Sequence, residues 1–114
     1  MTDNKNYPSC NVIGNGKLEF LSSGKTIPFK LISMSAASVL VYMEEDVNTS
    51  LQVLIHIVLK SGFFDVRINA EGVTGISNKS DSGYQCEIAF TNLSEDDQNE
   101  INELLVSSCN LSYA

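Results

Sequence analysis

Apolar and polar positions alternate with a period of two through most of this chain, in short runs separated by polar punctuation. Lys17 to Leu21 puts Leu18 and Phe20 on one face, and Ser22-Ser23-Gly24 then reads as a turn. Ile27, Phe29 and Leu31 alternate with Pro28 and Lys30; a proline so near the start marks a strand entry or an edge. Ser38 to Met43 is β-branched and aromatic, bounded by the polar run Glu44 to Ser50. Leu51 to Leu59 reads as a longer strand with Val53, Ile55, Ile57 and Leu59 facing one way, and Lys60-Ser61-Gly62 is a tight hairpin signal. The return strand is the clearest: Phe64, Val66, Ile68 and Ala70 alternate with Asp65, Arg67, Asn69 and Glu71. Gly72 before Val73 predicts a bulge, Asn78 to Gly83 a polar loop, and Tyr84, Cys86, Ile88 and Phe90 the last inward-facing set. The expected core therefore sets Phe64, Val66, Ile68, Tyr84, Ile88 and Phe90 against Val53, Ile55 and Ile57.

After Phe90 the period changes. Ser94 is placed to cap a helix whose first turn carries Glu95, Asp96 and Asp97, where the helix dipole favours carboxylates. Ile101, Leu104 and Leu105 make one apolar stripe, with Glu95, Asp96, Glu100 and Glu103 on the outer face. Six short strands closed by one C-terminal helix predict a mainly β protein, a small six-stranded antiparallel barrel with its helix packed on it.

At 114 residues the chain is one domain with a modest core. Its 7 Lys+Arg against 14 Asp+Glu give a net charge of −7, which argues against a nucleic-acid polymer or an anionic membrane as partner. Arg67 is the single arginine. No apolar run is long enough to insert in a bilayer, because His56 interrupts the longest, Val53 to Leu59. Residues 1–16 are polar and Asn-rich, unlike a targeting segment. Cys10, Cys86 and Cys109 form no close pair and suit free thiols in a reducing cytoplasm, with Cys86 an inert core thiol. A cytoplasmic location is expected, and the Asn-x-Ser/Thr matches at Asn48, Asn78, Asn92 and Asn110 then carry no glycan. A start at Met1 and an end just past a helix are expected of a whole small protein.

The search for reaction chemistry returns little. Gly14-Asn15-Gly16 lacks the third glycine of a dinucleotide fingerprint and leads into a strand, so it reads as turn chemistry. His56, the only histidine, sits between Ile55 and Ile57 with no nucleophile and acid spaced around it. Glu44-Glu45-Asp46 lacks the spaced ligands of a calcium loop and reads as a solvated turn. No catalytic residue, metal site or cofactor is expected, and the chain is read as a binding module and not an enzyme. Phe63 and Phe64 are adjacent in the expected strand and so point to opposite faces, which leaves one to be covered from outside the barrel. Phe63, Glu100, Glu103 and Tyr113 are the candidate partner contacts.

From about Gly16 to Val106 the sequence resembles a PilZ domain. The likeness rests on the strand GYQCEIAF (Gly83 to Phe90) running into TNLSEDDQNEINELL (Thr91 to Leu105). PilZ domains end on a strand of the form y-x-x-x-i-x-F that leads through x-x-L-S-x-x-(D/E) into a closing helix. The stretch IPFKLISMSAASVLVYM (Ile27 to Met43) resembles the family's two-strand segment with its polar signature between the strands. The resemblance implies a PilZ-like barrel over residues 16–107, a loosely ordered arm over 1–15 and a tail over 108–114. It also implies a binding site for cyclic di-GMP, built from Arg-x-x-x-Arg before the first strand and Asp/Asn-x-Ser-x-x-Gly between the next two. The second motif falls on Ser33 to Ser38, where only Ser35 keeps its type; Ser33 replaces the acid or amide and Ser38 the glycine. The first motif is absent, with only Lys17 near its place. The expectation is a degenerate member that does not bind cyclic di-GMP. It would act as a regulatory adaptor through protein partners in motility, type IV pilus function or second-messenger signalling. A homo-oligomer is compatible with that reading. The alternative is a sensor that binds cyclic di-GMP through Lys17, Ser33, Ser35 and Ser38.

Overall fold

The computed structural model describes residues 10–61 and 64–109. Its elements are β1 (Cys10–Asn11), β2 (Gly14–Phe20), β3 (Thr26–Met34), β4 (Ser38–Met43), β5 (Gln52–Ser61), β6 (Phe64–Ser80), β7 (Gly83–Thr91) and α1 (Glu95–Cys109). All strand pairs are antiparallel, and the β3–β4 pairing closes the order β3-β2-β5-β6-β7-β4 into a six-stranded ring, with β1 added outside it on β3. The ring consists of two meanders, β2–β3–β4 and β5–β6–β7, joined along two seams, β2–β5 and β4–β7.

Each strand turns its alternate apolar residues into one core. Leu18, Phe29, Val41, Ile55, Ile57, Leu59 and Ile88 are all buried there, and Ile101 and Leu105 of α1 join them. The helix begins where expected. The Ser94 hydroxyl oxygen accepts from the Asp97 amide at 3.1 Å, and the Ser94 carbonyl accepts from the Gln98 amide at 3.0 Å.

Several expectations are corrected. Sheet pairing starts at Cys10 and β2 at Gly14, inside the segment expected to be a loose arm; residues 1–9 lie outside the described residues. Gly14 and Gly16 are strand residues, not a turn. A Cβ on Gly16 would run into the His56 carbonyl oxygen of β5, so the glycine serves close strand approach. Gly72 stays in register, opposite Val53 and Phe90, and the bulge falls between Thr74 and Ser77. Ser77 to Ser80 continue β6 and pair with Gly83 to Cys86, leaving only Asp81 and Ser82 as the turn. Their polar pattern hid a strand because this end of the hairpin projects past the β5 pairing, which stops at Val73.

The core is also narrower than expected. Ile88 is fully buried, but Val66, Ile68, Tyr84 and Phe90 are half-buried. Tyr84 lies on the projecting hairpin, its ring 5.9 Å from the Lys79 ammonium. Val66 and Ile68 lie where β6 has a neighbouring strand on one side only. The side chain of Phe64, like Phe63 and Tyr113, lies outside the described residues. No described helix is long and apolar enough to cross a membrane.

Candidate functional site

Two places carry the residues singled out by the sequence. The first is the turn between β3 and β4. Ser35 is the turn's own fastener: its amide donates to the Ser38 carbonyl at 2.9 Å, and its hydroxyl oxygen accepts from the amides of Ala37 (3.0 Å) and Ser38 (3.2 Å). That hydroxyl is 3.5 Å from the Ser38 carbonyl, its own acceptor, and the residue is 6% exposed. Ser38 donates its hydroxyl to the Glu87 carboxylate on β7 at 3.0 Å. Ser33 sits opposite Asn11 of β1 and Leu40 of β4. The structure thus brings Ser33, Ser35 and Ser38 to one turn.

Lys17 is elsewhere. It lies in register with Pro28 and His56, and Pro28 is about 16 Å along β3 from Ser33 at the rise of an extended strand. The segment beside the turn is β1, which supplies Cys10 and Asn11 and no positive side chain. β1 was missed because two residues hold no periodicity to detect. Among the described contacts of the turn, the charged one is a carboxylate, Glu87.

The second place is a groove between β6 and α1. β7 makes its last pair with β6 at Glu71–Thr91, and the chain then leaves the sheet at Asn92 in a left-handed conformation (φ 59°). The Asn92 side-chain amide holds this exit by donating to Glu71 at 2.8 Å. Residues 64–70 of β6 therefore pair with β5 alone, and α1 runs past their other side. The groove left between them has a volume of about 610 Å³. Val66, Ile68, Leu93, Ile101 and Leu104 give it an apolar lining, and Arg67, Asn69, Asp97, Glu100 and Glu103 its polar one. Glu100 and Glu103, singled out from the sequence, meet here. Arg67 and the half-buried Leu104 were not assigned to a site, because the groove follows from β7 ending before β6 does.

The charges differ in how far they are used. Lys25 pairs with Glu45 at 2.9 Å and Lys60 with Asp65 at 3.1 Å, whereas Arg67 makes no ion pair among the described residues. His56 joins an exposed cross-strand row, with Nδ1 2.9 Å from Asn69 Oδ1 and Nε2 3.3 Å from Glu19. Burial pushes the Cys86 thiol above its ordinary pKa, with Asp46 and Glu87 adding to the rise and a hydrogen bond with the Gly75 backbone opposing it. No group of metal-ligating side chains is found among the described residues.

No protein-family profile matches the chain, and no curated protein sequence does. Solved structures do match. The inhibitor of motility MotI/DgrA of Bacillus subtilis superposes with a TM-score of 0.73 at 11% identity, covering 90% of this chain and 49% of that one. The PilZ domain of YcgR from Escherichia coli, solved with c-di-GMP, gives 0.71 at 10% identity, covering 95% of this chain and 93% of that domain. MrkH of K. pneumonia, in a c-di-GMP complex, gives 0.65 at 15% identity over 92% of this chain and 52% of its own. The chain spans about half the length of MotI and MrkH. Its fold, a closed six-stranded barrel with one C-terminal helix, is PilZ-like.

Proposed function

We propose that this chain is a cytoplasmic regulatory adaptor with a degenerate PilZ-like barrel, acting by protein contact in motility, type IV pilus function or second-messenger signalling. The observation that carries the reading is the state of the β3–β4 turn. Its one retained hydroxyl, Ser35, is spent on the turn's own amides, and its neighbour Ser38 is tied to a carboxylate. A cyclic dinucleotide brings two phosphates and two guanine edges, so it needs positive charge and paired donors. A guanidinium meets guanine O6 and N7 with two parallel bonds, a geometry lysine does not reproduce. Losing two such arginines removes roughly 2–6 kcal/mol, or about one and a half to four decades of affinity. Glu87 and the net charge of −7 add repulsion toward a dianion. The sole arginine lies instead in the β6–α1 groove, beside Glu100 and Glu103, where a protein surface is the better match.

Titration calorimetry with cyclic di-GMP at tens of micromolar tests the reading, with no heat beyond dilution expected. A low-micromolar dissociation constant that is lost on Ser35→Ala would overturn the adaptor and establish a sensor.

A further inference from the structure

Resting on the reading that this chain works through protein contact, we infer that the β6–α1 groove takes an extended partner segment as an added β-strand, one in which basic and apolar side chains alternate. The argument begins with the direction of backbone groups. In an antiparallel sheet, successive residues of a strand aim their N–H and C=O at opposite neighbours. On β5, the Lys60 amide donates to the Ile13 carbonyl at 2.9 Å, and the Gln52 carbonyl accepts from the Leu21 amide at 3.2 Å. Even-numbered β5 residues thus serve the β2 side, and odd-numbered ones serve β6. Ile57 and Leu59 face Ile68 and Val66, so those two β6 residues spend their backbone groups on β5.

Arg67 and Asn69 then aim their N–H and C=O the other way, into the groove. The next residue of that parity, Glu71, is where β7 pairs, but β7 stops at Thr91. No described residue takes the place of β7 opposite 67 and 69. Such an edge is a template for one more strand.

The surroundings choose the occupant. An added strand would alternate its side chains, one set over the half-buried Val66, Ile68 and Leu104 and the other toward solvent and the helix. The carboxylates of Asp97, Glu100 and Glu103 outnumber Arg67 around the groove, so lysine or arginine in the second set meets opposite charge. The four residues 66–69 span about 13 Å as a strand, enough to pair a short peptide segment.

The test uses the full-length, isotope-labelled chain and the synthetic peptide acetyl-Lys-Val-Lys-Ile-Lys-Val-amide. In the free protein, the amides of Arg67 and Asn69 should exchange with solvent about 100-fold faster than those of Val66 and Ile68. The peptide should slow Arg67 and Asn69 by about tenfold or more. A version N-methylated at alternate amides on its pairing edge should lose that protection, because only strand addition needs those donors. Arg67→Pro should also abolish binding while sparing the β5 ladder, which does not use that N–H. If Arg67→Pro does not fold, the N-methylated peptide makes the same test on the native chain. Glu100→Gln with Glu103→Gln should weaken the peptide a few-fold and flatten its salt dependence. Equal binding of the N-methylated peptide, or no binding of the parent peptide, would overturn strand addition. So would slow exchange at Arg67 and Asn69 in the free chain, the sign that a terminal segment or a second copy already covers the edge. Each of these leaves the adaptor reading standing, whereas cyclic di-GMP binding at the turn would overturn that reading and leave the exchange pattern untouched.

Discussion

The β3–β4 turn and the β6–α1 groove are built from opposite solutions to the same problem, where to send polar groups that a closing sheet leaves over. At the turn, the hydroxyl of Ser35 meets two amides, its own amide meets Ser38, and the Ala37 carbonyl accepts from the Phe90 amide at 2.9 Å. Little there is left for a ligand. At the groove, the edge of β6 faces open space lined by a helix that supplies no backbone partner among the described residues. The PilZ resemblance of the sequence draws attention to the first place, whereas the backbone groups inferred to be unpaired lie in the second.

Mutational stability should separate the two places. Ile88, fully buried opposite Val39 on the β4–β7 seam, should cost about 2–5 kcal/mol on truncation to alanine. Leu104, half-buried in the groove, should cost about 1 kcal/mol. Urea midpoints of the two variants make the measurement, and equal losses would mean that the groove is as closed as the core. Next in size is Ser35→Ala, which strips the turn amides of their acceptor and should destabilise by about 1–3 kcal/mol. A neutral Ser35→Ala would show that the turn does not depend on its hydroxyl.

The smallest effect is a pH dependence. Because burial holds the Cys86 thiol neutral in the fold, the unfolded chain gives up that proton first as pH rises. The stability it contributes is full below the ordinary thiol range and declines as pH climbs through that range toward the raised folded value. The fall in urea midpoint between neutral and alkaline pH should therefore be shallower in Cys86→Ala. An identical fall in both proteins would remove Cys86 as its source.

Much of the barrel could be read from alternation alone. The spans from Lys17 to Phe90 give the ring strands, and Ser94 with its following carboxylates gives the helix start. What escaped was relational. Gly16 is glycine because of a carbonyl on β5, a neighbour 40 residues away in sequence. Residues 77–80 form a strand because β7 pairs with them, although their polar run has no face to bury. The site was divided in the same way. Glu100 and Glu103 stood out by charge, but the groove they line exists only because one strand outruns the next. Lys17 and the three serines came from two separate motifs of one expected site, and the register put Lys17 on another stretch of the wall.

The two-meander construction bears on how the barrel comes to be. Within each meander, strands that pair are joined by short links, so their contacts form at small entropic expense. The two seams join β2 to β5 and β4 to β7, across tens of residues, and must wait until both halves exist. Folding kinetics should carry that order. Truncations inside a meander, such as Ile68→Ala between β5 and β6, should slow refolding, whereas truncations on a seam, such as Met43→Ala opposite Tyr84 of β7, should mainly hasten unfolding.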